Sequence, residues 1–257
     1  MVRTSLKPVG EWLGGSFGLL GGRWLTLSLL FVFGCCAVVF GVVLVYLLGV
    51  VFIGTIYGWE NLARVASDPR KLQYLFEGAG QTLTIFNLLA AFIALRLYSW
   101  ILLAAIHAST DTSLGFRAAL GRAKGRGYAF LVLFVLQQAI LNVGMLLLIL
   151  PGLILAVWLG FSLWSFAREK TGVFESLGRS ARLVKGNFFG VLGRMLLLVL
   201  IGGAMMIVPV AGWLVGGAWI MLAWGVLFAD LQALHAPVPA ARPVSTARPL
   251  VPGPRIG

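Results

Sequence analysis

Long apolar runs alternate along this chain with short clusters of charge. Leu25 to Trp59 carries no charged residue, and neither does Tyr128 to Ala167. About 20 apolar residues in a helix cross a bilayer. The first run is too short for two crossings and a turn. It predicts one long tilted helix, about 25–53, ending in interface aromatics at Tyr57 and Trp59. The second run is broken by Pro151-Gly152, a turn signal, which predicts spans at 128–149 and 152–168. Further spans fall at 81–105, 188–207 and 211–232, the last two joined around Pro209. The pattern predicts an all-α polytopic bundle with six transmembrane helices.

Between the spans lie three shorter segments with helical periodicity, at 8–22, 113–126 and 173–185. In the first, Val9, Leu13, Phe17, Leu20 and Trp24 recur at spacings of four and three, and Pro8 suits a first turn. In the third, Val173, Leu177, Ala181, Val184 and Phe188 form the apolar stripe; Glu175, Arg179 and Arg182 form the polar one. Glu175 and Arg179 stand four apart in the favourable order for an ion pair, and Gly186-Asn187 offers a C-cap. Thr110, Asp111 and Thr112 offer N-caps for the second segment. Laying Val9 on Val173 aligns the first and third segments without a gap. Val9/Val173, Glu11/Glu175, Leu13/Leu177, Gly14/Gly178, Ser16/Ser180, Leu19/Leu183 and Gly22/Gly186 are then identical. AALGRA at 118–123 echoes ESLGRS at 175–180. The chain thus predicts three units, each an interfacial amphipathic helix and a two-span hairpin. A polar connection with Pro69 fills 60–80. Residues 1–235 form the membrane domain. The tail 236–257, rich in Pro and Arg, is expected to be disordered.

Composition agrees. The chain is 60% hydrophobic and 11% charged, with mean hydropathy +0.98, whereas soluble domains carry roughly 25% charged residues. The net charge of +12 is accounted for by positive-inside bias and anionic headgroups, so nucleic acid is set aside. Fifteen of the 20 Lys and Arg fall on one side of the predicted topology; Arg64, Arg70 and Lys71 fall on the other. The asymmetry predicts a bacterial cytoplasmic (inner) membrane protein with both termini cytoplasmic. The first apolar run is too long for a signal-peptide core. Adjacent Cys35 and Cys36 point apart on a helix and read as apolar filler.

Residues 146–193, LLLILPGLILAVWLGFSLWSFAREKTGVFESLGRSARLVKGNFFGVLG, resemble the core of a bacterial inner-membrane family. That family includes YciC-like proteins and the membrane domain attached to some glycerophosphoryl diester phosphodiesterases. Leu150-Pro151-Gly152 stands for its I-P-G turn. Ser176, Leu177, Ser180, Leu183, Lys185, Gly186, Phe188 and Phe189 fit its following run, and VGEWLGGSFGLL resembles its usual start. The resemblance implies a polytopic helical membrane protein. No stretch matches the phosphodiesterases' catalytic barrel, so their activity is not implied.

Arg96 is the sharpest candidate, because an Arg within a span costs several kcal/mol unless it snorkels or pairs. It reads as a lipid-phosphate or anion site, or as a structural pair. Arg122, Lys124, Arg126, Arg179, Arg182 and Lys185 are further lipid- or anion-binding candidates on the cationic arms. Gln137, Gln138 and Asn142 lie mid-span, and Gln138 and Asn142 share a face. Arg194 lies near enough to a span end to reach the interface, and Asp230 could pair with Arg194 or Arg96. Glu11 and Glu175 oppose helix dipoles in first turns. Gly212 and Gly216 form a GxxxG packing motif. No HExxH, GxSxG, Walker loop or paired-cysteine zinc pattern occurs, and the two histidines, His107 and His235, stand apart. The expectation is a non-enzymatic membrane protein without a cofactor. It would engage anionic inner-leaflet lipid, a protein partner or a second copy through its cationic arms. A transporter component with a polar site around Arg96 is the alternative, and a lipid-modifying enzyme the third reading.

Overall fold

The computed structural model describes residues 5–60, 80–111, 113–169, 171–208 and 212–235. The connection with Arg64, Pro69, Arg70 and Lys71, the candidate cap Thr112, the Pro209 turn and the tail lie outside the described residues. Nine α-helices are described: α1 (Val9–Tyr57), α2 (Gly80–Thr110), α3 (Phe116–Lys124), α4 (Gly127–Leu147), α5 (Ile149–Leu159), α6 (Ser162–Glu169), α7 (Val173–Val184), α8 (Phe188–Met206) and α9 (Gly217–His235). A π-helical turn, Gly212–Gly216, precedes α9. Among the described residues there is no strand. Six helical stretches are long and apolar enough to cross a membrane, with α5 and α6 together making one of them. The protein is an all-α polytopic bundle.

The first predicted arm is not a separate element. Residues 8–22 run straight into the span as one helix of 49 residues, about 73 Å at helical rise. α1 ends where Gly58 takes φ 81. Its inward face is not the apolar stripe. Val9, Phe17 and Trp24 are 45%, 44% and 45% exposed, whereas Trp12, Ser16, Arg23, Leu27 and Leu30 are buried. α1 packs along α2 and α9. Small residues let the long helices close up: a Cβ on Gly41 would stand 3.1 Å from Ile93 and Leu97.

The second and third arms exist as α3 and α7. The N-cap of α3 is Gly115, not Thr110 or Asp111; Thr110 still belongs to α2. α7 ends at Val184, and Gly186 at φ 88 turns the chain into α8. The hairpin between α4 and α5 bends at Leu148 (φ −166, ψ 145), so Pro151 and Gly152 sit inside the first turns of α5. Proline fits there because first-turn N–H groups have no helical partner.

The fourth span is broken between α5 and α6. A Cβ on Gly160 would stand 2.9 Å from the Ala156 carbonyl and 3.1 Å from Trp224. Low-dielectric surroundings demand that the freed backbone groups be satisfied. Ser180 Oγ donates to the Trp158 carbonyl at 2.6 Å and accepts the Phe161 N–H at 3.0 Å. Gln137 Nε2 donates to the Leu159 carbonyl at 3.2 Å, and Gln137 Oε1 accepts from Ser162 at 2.8 Å. Trp12, Phe130, Phe161, Phe166, Trp219 and Phe228 are fully buried. They share one core cluster with Ala119 and Ala123 of α3 and Leu183 and Val184 of α7. The outer parts of α1, α2, α4 and α8 remain exposed, as lipid-facing surfaces do.

Candidate anion-binding site beside helix α3

α3 is amphipathic: Ala119 and Ala123 are buried four apart, and its basic side chains stand outside. Lys124 leans toward the middle of α2. There Arg96, Leu97 and Trp100 of α2, Leu120 of α3 and Tyr128 of α4 line a cleft of about 560 Å³. Arg96 is half-buried, and its guanidinium lies 4.4 Å from the centroid of the Tyr128 ring. A cation over an aromatic face gains about 0.5–2 kcal/mol. The Arg96 guanidinium has neither a hydrogen bond nor an ion pair among the described residues. It lies against the start of α4: a Cβ on Gly127 would stand 2.8 Å from its Nη2. No side chain caps α4. A guanidinium thus faces the positive end of a helix dipole, an arrangement that an anion relieves.

On the other side of α3, Arg122 pairs with Asp111 at 3.0 Å. Asp111 also accepts from the Ser113 hydroxyl at 2.6 Å and its N–H at 3.0 Å. The bonds from Ser113, then Arg122, hold its carboxyl down at about 2. Arg126 donates to the Phe166 carbonyl at 2.9 Å and the Thr171 carbonyl at 2.7 Å, with its guanidinium 4.0 Å from the Phe166 ring centroid. Burial pushes this guanidinium below its ordinary value. It ties the start of α4 to α6 and the segment before α7.

Arg182 and Lys185 stand exposed on α7. Arg179 pairs with Glu169 at 3.0 Å, not with Glu175. Glu175 turns back to accept the Gly172 N–H at 3.3 Å, so it caps its helix. Glu11 stands in the first turn of α1. Arg194 is buried and donates to the Gly190 carbonyl at 2.9 Å and to the Lys7 carbonyl. Asp230 pairs with Lys7 at 3.3 Å rather than with Arg194 or Arg96. Gln138 and Asn142 face outward; the buried amide is Gln137. Cys35 and Cys36 are free and exposed. Gly216 packs inside the chain: its Cβ would stand 3.2 Å from Met205.

Sequence reasoning passed over Arg23, buried and bonded to the Leu114 carbonyl at 2.9 Å. Its signal was its place at the lip of the first uncharged run. Ser16 and Ser180, aligned in the repeat, are both fully buried. Ser16 accepts the Trp219 indole N–H at 3.1 Å. Among the described residues no three His, Cys, Asp or Glu side chains gather as a metal set.

Six membrane-length helices and apolar outer faces define a multi-pass helical membrane protein. A curated relative places it beside a bacterial membrane-protein family. This is a UPF0259 membrane protein of Pectobacterium carotovorum subsp. carotovorum (strain PC1), 35% identical over 77 residues. The match covers 28% of this chain and 31% of that protein, so the chain matches under a third of the relative's length. No family model and no solved structure matches the chain.

Proposed function

We propose that this protein is a non-enzymatic protein of the bacterial cytoplasmic membrane, with both termini cytoplasmic, that binds the phosphate of an anionic lipid headgroup. The site is the cleft of Arg96, Lys124 and Tyr128. One observation carries the proposal: the guanidinium of a half-buried Arg within a candidate span has no acceptor among the described residues and faces an uncapped helix start. A headgroup phosphate supplies the missing charge. Tyr128, Trp100 and Leu97 match the amphipathic boundary where such phosphates lie. The exposed Arg182 and Lys185 on α7 add long-range attraction. A transporter would use a polar path through the bundle. The outward placement of Gln138 and Asn142, and the closed hydrogen bonds of Gln137, favour the lipid reading instead. The finer assignment to YciC-like membrane proteins belongs to the same proposal. It is supported by the pattern at 146–193, whose Ser180 and Gly186 have definite structural work here.

Native mass spectrometry of the full chain with phosphatidylglycerol and phosphatidylcholine tests the site. Each basic group near headgroups contributes up to about 1 kcal/mol, so Arg96→Gln with Lys124→Gln should weaken phosphatidylglycerol retention by up to about thirtyfold. Phosphatidylcholine retention should not change. Unchanged phosphatidylglycerol retention in the double variant overturns the proposal.

A further inference from the structure

A second cleft, of about 720 Å³, opens on the far side of α3, between the end of α2 and α6. His107, Thr110, Asp111, Arg122, Arg126 and Arg168 line it. Its charges do not balance. Asp111 neutralises Arg122 at 3.0 Å. Among the described residues Arg126 is anchored by the Phe166 and Thr171 carbonyls and the Phe166 ring, and Arg168 by a long 3.4 Å bond to the Thr110 carbonyl. Carbonyls fix the position of a guanidinium without cancelling its charge. The neighbouring acid, Glu169, is engaged elsewhere: it pairs with Arg179 at 3.0 Å and accepts from Gln232 at 2.7 Å. Among the described residues two positioned guanidinium charges therefore have no carboxylate paired with them. Each keeps N–H donors beyond those already used, since the group carries five. His107 adds an imidazole N–H in either protonation state. The volume lies in the range of ligand pockets, about 300–1,000 Å³.

We propose that this cleft binds a dianionic phosphomonoester group. The phosphate would sit between Arg126 and Arg168, within reach of His107, with Arg122 held in reserve by Asp111. Two uncompensated positive charges match two negative ones, and guanidinium forks match phosphate oxygens in geometry. The same chemistry is offered by the headgroup of phosphatidic acid and by a free phosphorylated solute. This site stands independently of the Arg96 cleft.

The experiment uses the full chain in phosphatidylcholine nanodiscs, titrated calorimetrically with inorganic phosphate. In parallel, phosphatidic acid retention is measured by native mass spectrometry. Arg168→Gln should weaken binding about tenfold or more, the size of a lost charge-assisted bond pair. Asp111→Asn should tighten it severalfold, because it frees Arg122. Opposite signs from two exposed or half-buried neighbours cannot arise from misfolding. Arg96→Gln should leave phosphate binding unchanged, which separates this site from the first cleft. Binding of inorganic phosphate without phosphatidic acid assigns a soluble ligand. Retention of phosphatidic acid without phosphate assigns the lipid. Binding of neither, or the same response in Arg168→Gln and Asp111→Asn, overturns the proposal.

Discussion

Ser180→Ala should destabilise the bundle by removing one hydroxyl that closes a helix break. The side chain is fully buried. It donates to Trp158 at 2.6 Å and accepts from Phe161 at 3.0 Å. Its loss strands one carbonyl and one N–H. An unsatisfied buried group costs about 1–3 kcal/mol. Interhelical hydrogen bonds in membrane proteins average nearer ~0.6 kcal/mol, with a maximum near ~1.7, because the unfolded state also finds partners. Two such groups at a fixed break give a loss of about 2 kcal/mol, between those limits. Ser165 supplies the control. It too is fully buried, yet its hydroxyl has no partner among the described residues. Ser165→Ala removes a desolvated group with nothing bonded to it and should be neutral or slightly stabilising. Unfolding in sodium dodecyl sulfate, followed by tryptophan fluorescence, measures both. Adding Gln137→Leu to Ser180→Ala should cost less than the sum of the single changes, since both side chains hold the same break. Equal losses for Ser165→Ala and Ser180→Ala would refute the reasoning, because burial rather than bonding would then set the cost.

The aligned glycines Gly22 and Gly186 should respond with opposite signs in the same assay. Gly186 holds φ 88, so Gly186→Ala should cost about 1–2 kcal/mol. Gly22 lies inside α1 with nothing within 4 Å of a Cβ, so Gly22→Ala should stabilise by up to about 1 kcal/mol. The Asp111 clasp makes a pH prediction. Its folded carboxyl is lowered to about 2 from an ordinary 3.8. A lowered acid favours the folded state above its unfolded value. The contribution is therefore complete above about pH 4 and disappears as pH falls toward 2. Carbon-detected NMR of the Asp111 carboxyl should show its midpoint near the lower value; an ordinary midpoint would refute the clasp.

Much of the architecture was legible along the chain. Span number follows from local composition, since a helix must carry enough apolar length to cross hydrocarbon. The α7 arm was legible because Glu175, Arg179 and Arg182 fall on one exposed side while the stripe of Val173, Leu177, Ala181 and Val184 is partly or fully buried. Gly186 was legible as its stop. The candidate site was legible in part. Arg96 and Lys124 are conspicuous as charges, but nothing local shows that they share a cleft. That Arg122 already has Asp111, and that Glu169 rather than Glu175 takes Arg179, depends on contacts between elements.

By itself the sequence determined an all-α membrane chain, its six apolar helices and the basic arms between them. Tertiary structure alone decided which way each helix faces. Trp12, Ser16 and Arg23 turn into the bundle while the apolar stripe of Val9, Phe17 and Trp24 stays exposed, and Gln137 is buried while its neighbour Gln138 stands outside. The reason is that lipid is as apolar as the packed interior, so periodicity in a span carries no sign for inside and outside. The repeat shows the same limit. Gly22 and Gly186 are the same residue at the same aligned place, yet one continues a helix and the other ends it. Glycine permits both conformations at little cost, and the surroundings choose: Gly22 is followed by the buried Arg23, bonded to the Leu114 carbonyl, whereas Gly186 is followed by Asn187, the N-cap of α8.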